Sequence, residues 1–254
     1  MATSLTPAAD APVSLLAATY LAPCNRPLYE FVAEACGAPE LVDGGDWREL
    51  EGSGIDIAFV CSPPLIWLGA SVEALAAPIL TDPRFGGKPL YCSEVVVRRD
   101  SRFQSLEDLR GGRWAINEPS SWSGYWVTLN RVGSWDFFGE VIEAGFHEKA
   151  LQMVASGEID GAAIDCHVLD VMLRKHPAIA AAVRVVETLG PAPSQPVVVR
   201  AGLEAEVKAR IRERLLELHD PLMSEFRVEG FAQAPDYSQI AAVVGAGPAT
   251  NDWR

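Results

Sequence analysis

The sequence predicts an α/β protein folded as two lobes around a cleft. Three observations carry this expectation. Strand and helix patterns alternate along most of the 254 residues; several strand candidates are continuous apolar runs of the kind buried on both faces of a sheet; and the run Val-Val-Val-Arg occurs twice, at 95–98 and 197–200. The repeated run implies that the chain leaves one lobe near 90–98, builds a second, and returns near 194–201, giving a two-strand hinge. The expected division is 1–92 for the first part of lobe one, 93–195 for lobe two, and 196–254 for the return segment with C-terminal helices.

The elements follow in order. After a polar tail, 14–21 is an apolar run of strand length, broken by Pro23 and Asn25. Leu28, Phe31, Val32 and Ala35 then recur at helical spacing, with Gly37 placed to stop the helix. Residues 41–42 form a short strand, 47–50 a helical turn and 56–61 a buried strand, which runs into Ser62-Pro-Pro and a helix over 65–70. Two further strands are expected at 74–80 and 90–98. A capping-box start and Gly111 frame a short helix over 105–111. Residues 114–117 read as a strand, and a helix begins near Gly124. Beyond it come a Gly-rich and aromatic loop (Trp135, Phe137, Phe138, walling the cleft or packing beneath it), a short strand at 141–142, a helix over 147–157 and a strand over 160–165. A helix at 168–173, a strand at 183–189, a proline-rich connector at 191–196 and a strand at 197–200 complete the second lobe and the return. The C-terminal part is expected to be helical, over 204–219 and 239–244, with a frayed end.

Composition narrows the function. With 34 acidic and 21 basic side chains the formal charge is -13, which disfavours nucleic acid or an anionic membrane surface as partner. Helix N-termini and hydroxyls still bind a small anion locally, whatever the distant net charge. No apolar run approaches the roughly 20 residues of a membrane span, so no membrane insertion is expected. The five cysteines include no CxxC pair and suggest reduced thiols rather than a disulfide framework or a zinc site. The N-terminal residues carry no basic segment, and the apolar stretch at 13–20 is short for a signal sequence. The chain as written therefore reads as cytoplasmic, and as periplasmic if a leader has been removed.

The stretch 113–125 gathers the candidate chemistry. A strand ends at Asn117, Pro119 forces a turn, and Ser120, Ser121 and Ser123 crowd the start of a helix at Gly124. Hydroxyls there either cap the helix or surround an anion, and Gly124 permits close approach to the backbone. His147 at a helix start reads either as an oxyanion contact or as a capping histidine. Asp165, at the C-terminal end of a buried strand, is where open α/β sheets bind ligands, and equally the N-cap of the next helix. Tyr91 reads as a core strand residue or a ligand contact. Cys61 and Cys92 read as small buried hydrophobes, and Cys166-His167, adjacent in sequence, do not form a nucleophile-base pair.

These residues resemble the phosphate, phosphite and phosphonate substrate-binding proteins of ABC transporters. The matching segments are 56–62, 91–100, 105–111, 117–125, 147–160 with 163–165, and 196–200, in family order. The resemblance implies a type II periplasmic-binding-protein-like fold with a two-strand hinge and interlobe cleft. It also implies a ligand site in which a Ser-Thr-Ser-Gly turn holds phosphonate oxygens. The corresponding positions are Ser121, Trp122, Ser123 and Gly124, with Trp122 standing where the family has Thr. By the same resemblance Tyr91 is the hinge tyrosine with Ser93 beside it, His147 is the family's histidine, and Asp165 is its later carboxylate. Lobe one contributes loops near Tyr20 and Ser62. An indole at Trp122 is expected to narrow the pocket, stack on an organic substituent, or alter the anion specificity.

The reading that follows is a binding protein without cofactor or metal. It is expected to be monomeric, to close on a small oxyanion or organic acid, and to serve an ABC permease. The rival is a cytosolic enzyme or sensor of the same fold acting on an organic acid. Against an enzyme, the sequence shows no metal-ligand spacing, no nucleophile with a visible base and no Gly-rich nucleotide loop.

Overall fold

A computed structural model describes residues 14–245, so the expectations for the N-terminal tail and the frayed C-terminus lie outside the described residues. The first segment runs β1 (Leu16–Thr19), α1 (Arg26–Ala35), β2 (Glu40–Asp43), β3 (Ile57–Phe59), α2 (Ser62–Leu68) and β4 (Val72–Leu80). The second runs β5 (Leu90–Arg98), β6 (Arg113–Ile116), α3 (Val127–Val132), β7 (Glu140–Glu143), α4 (His147–Ser156), β8 (Gly161–Asp165), α5 (Cys166–Lys175), α6 (Pro177–Ala182) and β9 (Val183–Pro193). The chain then returns through β10 (Val197–Arg200), α7 (Ala205–Glu217), α8 (Pro221–Glu225), β11 (Val228–Gln233) and α9 (Ser238–Val244).

Two sheets result. One has the order β11-β4-β10-β3-β1-β2 and the other β7-β6-β8-β5-β9. Parallel pairing of β1 with β2 and β3, and of β6 with β7 and β8, makes the α/β half of each lobe, and β10 and β5 add antiparallel partners to β3 and β8. The chain passes between the sheets twice, over 81–89 and 194–196. The two Val-Val-Val-Arg strands therefore do not pair: β5 lies wholly in the second sheet and β10 wholly in the first. The expected boundary after residue 92 falls inside β5, whose Leu90 and Tyr91 already pair with β9.

Burial explains why these segments became strands. Every side chain of β3 and β8 is buried, as continuous apolar runs require when helices cover both faces. Helix α1 buries Leu28, Tyr29, Val32 and Ala33 on one stripe, and α4 buries Ala150, Leu151, Met153 and Val154.

Three expectations need correction. The first half of the connector at 191–196 is strand, because β9 runs on through Pro191 to Pro193. It lies at the sheet edge, where a missing N–H removes no ladder bond. The C-terminal part is not all helical: β11 closes the edge of the first sheet against β4, although Gly230 interrupts its pattern. The helix expected from Gly124 begins instead with a π-helical turn, Trp122–Trp126, before α3.

Candidate functional site

The π-turn follows from what its first residues bind. After β6, Ser121 N–H donates to the Glu118 carbonyl at 3.1 Å, and Trp126 N–H reaches back five residues to the Ser121 carbonyl at 3.2 Å. The Ser121 hydroxyl accepts from Gly124 N–H at 3.1 Å, so Ser121 is a helix cap as well as a candidate contact. Single π-turns of this kind recur at functional sites because they re-aim the side chains around them. Ser93, on β5, donates its hydroxyl to the Ser123 carbonyl at 2.6 Å and fixes the turn to the second sheet. The Ser123 hydroxyl lies 2.8 Å from His147 Nε2 and 3.5 Å from the Ser121 hydroxyl.

His147 is the first residue of α4 and is buried. Burial holds its imidazole below the usual value, with the Asp165 and Glu148 carboxylates pulling the other way. A neutral ring follows at neutral pH. Its Nδ1 has no partner among the described residues.

These groups meet residues of the first lobe in a narrow inner chamber of about 40 Å³. Asn117, Ser121, Ser123, His147 and Asp165 line it from one side, and Tyr20, Asn25 and Cys61 from the other. Asp165 caps α5, accepting from His167 N–H at 2.7 Å and Val168 N–H at 3.3 Å, and its second oxygen accepts from the Gln195 side-chain amide. The cap and the chamber wall are thus one residue. His167 also lines the chamber. Its Nε2 faces the Phe226 carbonyl, which only accepts, so Nε2 carries the proton and Nδ1 accepts from the Asn25 amide at 3.4 Å. Burial lowers the His167 value, which suits this neutral tautomer.

The inner chamber shares Tyr20, Leu21, Cys61, Glu118 and Phe146 with an outer chamber of about 670 Å³. Trp47 and Trp67, with ring centroids 5.3 Å apart, form part of its wall, and Ser120 joins it from the second lobe. Its two arginines are already paired, Arg26 with Asp43 at 2.9 Å and Arg48 with Asp46 at 2.9 Å. Burial pushes the Tyr20 phenol up to about 12, with Glu49 and Asp46 adding to it. Glu118 is also pushed up by burial, despite the Ser120 hydroxyl that favours its charge.

Tyr20, Ser120, Ser121, Ser123, His147 and Asp165 therefore converge on one cleft. Ser62, Tyr91, Ser93, Trp122 and Gly124 line neither chamber. Ser62 opens α2 and is fully buried, and Tyr91 lies in the core beside Ser123. The Trp122 side chain belongs to the apolar core, and its backbone N–H donates to Cys61 Sγ at 3.3 Å. Trp135, Phe137 and Phe138 pack beneath the cleft, Phe138 stacking on Trp114 at 4.6 Å. Asn25, Asn117, Cys61, His167 and Gln195 are wall residues that sequence reasoning did not select. Of these only Asn117 carried a signal, as the residue just beyond a buried strand's C-terminal end. Among the described residues no group of His, Cys, Asp and Glu is placed to hold a metal ion, and no helix is long and apolar enough to cross a membrane.

Two sheets joined by two crossings, with a chamber walled from both sides, define a two-lobed ligand-binding protein of the type II periplasmic binding fold. The sequence matches the family described as ABC transporter, phosphonate, periplasmic substrate-binding protein over residues 48–238, and the chain belongs to that family. Its members bind and deliver substrate rather than turn it over. Solved structures agree on the fold. PhnD1 of Prochlorococcus marinus in complex with methylphosphonate superposes with a TM-score of 0.77 at 15% identity, covering 92% of this chain and 97% of that one. A binding protein component of an ABC phosphonate transporter from Pseudomonas aeruginosa gives 0.74 at 18% identity, covering 90% and 84%. A Xanthomonas citri protein bound to chloride gives 0.66 at 23% identity, covering 90% and 94%.

Proposed function

We propose that this chain captures a phosphonate-type oxyanion in the inner chamber, on Ser121, Ser123, Asn117 and His147, with the organic substituent directed into the outer chamber. The observation that supports this reading most strongly is the Ser123–His147 contact of 2.8 Å. A serine and a neutral histidine own one O–H and one N–H between them, and their mutual hydrogen bond consumes one. Whichever tautomer holds, one donor remains for a ligand oxygen. The chamber sizes support a ligand that spans both. An inner space of about 40 Å³ is far below an ordinary small-molecule pocket, and an outer one of about 670 Å³ is well within that range.

Among the described residues the site offers no unpaired arginine or lysine, so selection rests on neutral donors, which disfavour any ligand that leaves them unsatisfied. In this reading the protein acts as a monomer in the periplasm, and it hands its ligand to an ABC permease. Thermal-shift titration with phosphite, methylphosphonate, 2-aminoethylphosphonate and sulfate tests the ligand class. The unfolding midpoint rises with concentration for a phosphorus oxyanion. No rise with any of the three phosphorus compounds overturns the reading.

A further inference from the structure

Next to the inner chamber, behind Asp165 and Ser93, the second lobe brings two thiols together. Ser93 of β5 pairs with Asp165, the last residue of β8, in antiparallel register, which brings Cys92 beside Cys166, the first residue of α5. The two residues are in contact: the Cys92 backbone N–H donates to Cys166 Sγ at 3.3 Å. The Cys92 thiol donates to Glu94 Oε1 at 3.4 Å, which places a proton acceptor beside it. Both cysteines are free and buried. Cys166 nevertheless lines a separate groove of about 370 Å³, which it shares with Glu94, Arg84 and Arg227.

We propose that Cys92 and Cys166 are the site of a reversible intramolecular disulfide, formed by exchange with a small-molecule disulfide that enters through this groove. Cys166, as thiolate, attacks one sulfur of the small disulfide, giving a mixed disulfide and releasing one thiolate. Cys92, its proton passing to Glu94, attacks the Cys166 sulfur, and the second small thiolate leaves. The two cysteine protons end on the two released thiols; the protein pair is oxidised and the small disulfide is reduced. The neighbouring Cys92 thiol, then burial and the Asp165 carboxylate, push the Cys166 thiol up, so the exchange is slow at neutral pH and quickens as pH rises. The bond would close a loop over 92–166 that contains Ser121, Ser123 and His147, and so would brace the lobe that carries the anion turn.

The test is incubation of the full chain with oxidised glutathione at pH 8.5, followed by proteolysis and peptide mapping without reductant. The expected result is a peptide joining Cys92 to Cys166, a fall of two in the free-thiol count, and loss of the cross-link on reduction. The unfolding midpoint of the oxidised protein rises by about 5 °C or more. Cys92→Ala and Cys166→Ala each abolish the cross-link. Should either variant fail to fold, the wild-type peptide map decides alone. Recovery of Cys92 and Cys166 as free thiols, with glutathione only on Cys24 or with other cysteines joined, overturns the proposal.

Discussion

A methyl group on Gly124 would stand 1.9 Å from Asn117 Oδ1 and 3.1 Å from His147 Cε1. The glycine is required because two chamber residues press on the turn from the side, not because its backbone is left-handed. Gly124→Ala should therefore displace Asn117 or His147, costing about 1 to 3 kcal/mol in stability and weakening ligand binding. Calorimetric unfolding with a parallel titration checks both. Wild-type affinity in the variant would show that Asn117 and His147 do not need their present positions.

Trp122 separates the site from the core. Its ring is buried in apolar contacts and lines neither chamber. Trp122→Thr, which restores the residue that the family resemblance expects, should cost about 3 kcal/mol or more in stability, as large-to-small core changes do. Ligand preference, measured on the folded fraction below the unfolding transition, should not change. A switch in preference would place the indole in ligand recognition after all.

Two buried neutral histidines set the pH dependence. Burial holds His147 and His167 below the usual histidine value. The unfolded chain therefore takes up these protons first as pH falls, and the folded state loses stability through the window from about 6.5 downward. Above about pH 6.5 their contribution is fully present. The denaturation midpoint should fall between pH 7 and pH 5, and His147→Gln should flatten part of that slope. An unchanged slope in the variant would mean that other groups control it.

Much of this was legible in the sequence, for physical reasons that also mark its limit. The buried strands, the serine cluster after β6, His147 at a helix start and Asp165 at a strand end are local patterns, and the structure brings Ser121, Ser123, His147 and Asp165 to one chamber. Asp165 shows why alternatives had to stay open, since one carboxylate both caps α5 and walls the chamber. What local pattern does not carry is direction. Whether the Trp122 ring faces ligand or core depends on packing from residues distant in sequence, and the π-turn that decides it is set by a five-residue reach between Trp126 and Ser121. Gln195 and Asn25 sit in connectors, and they reach the chamber only because the lobes fold against each other. Strand β11 and the prolines of β9 were obscured because edge strands tolerate Gly and Pro that a central strand would not.

The proposed site seats an oxyanion on the Ser121–Ser123 turn. This is tested most directly by calorimetric titration of methylphosphonate into the wild-type protein and the Ser121→Ala/Ser123→Ala double variant. Saturable one-site binding to the wild type is expected, with a loss of about 1 to 3 kcal/mol for each buried hydrogen bond removed and the variant still folded. Equal affinity in the two proteins, together with a lower unfolding midpoint in the variant, would contradict it and leave the serines as helix caps alone.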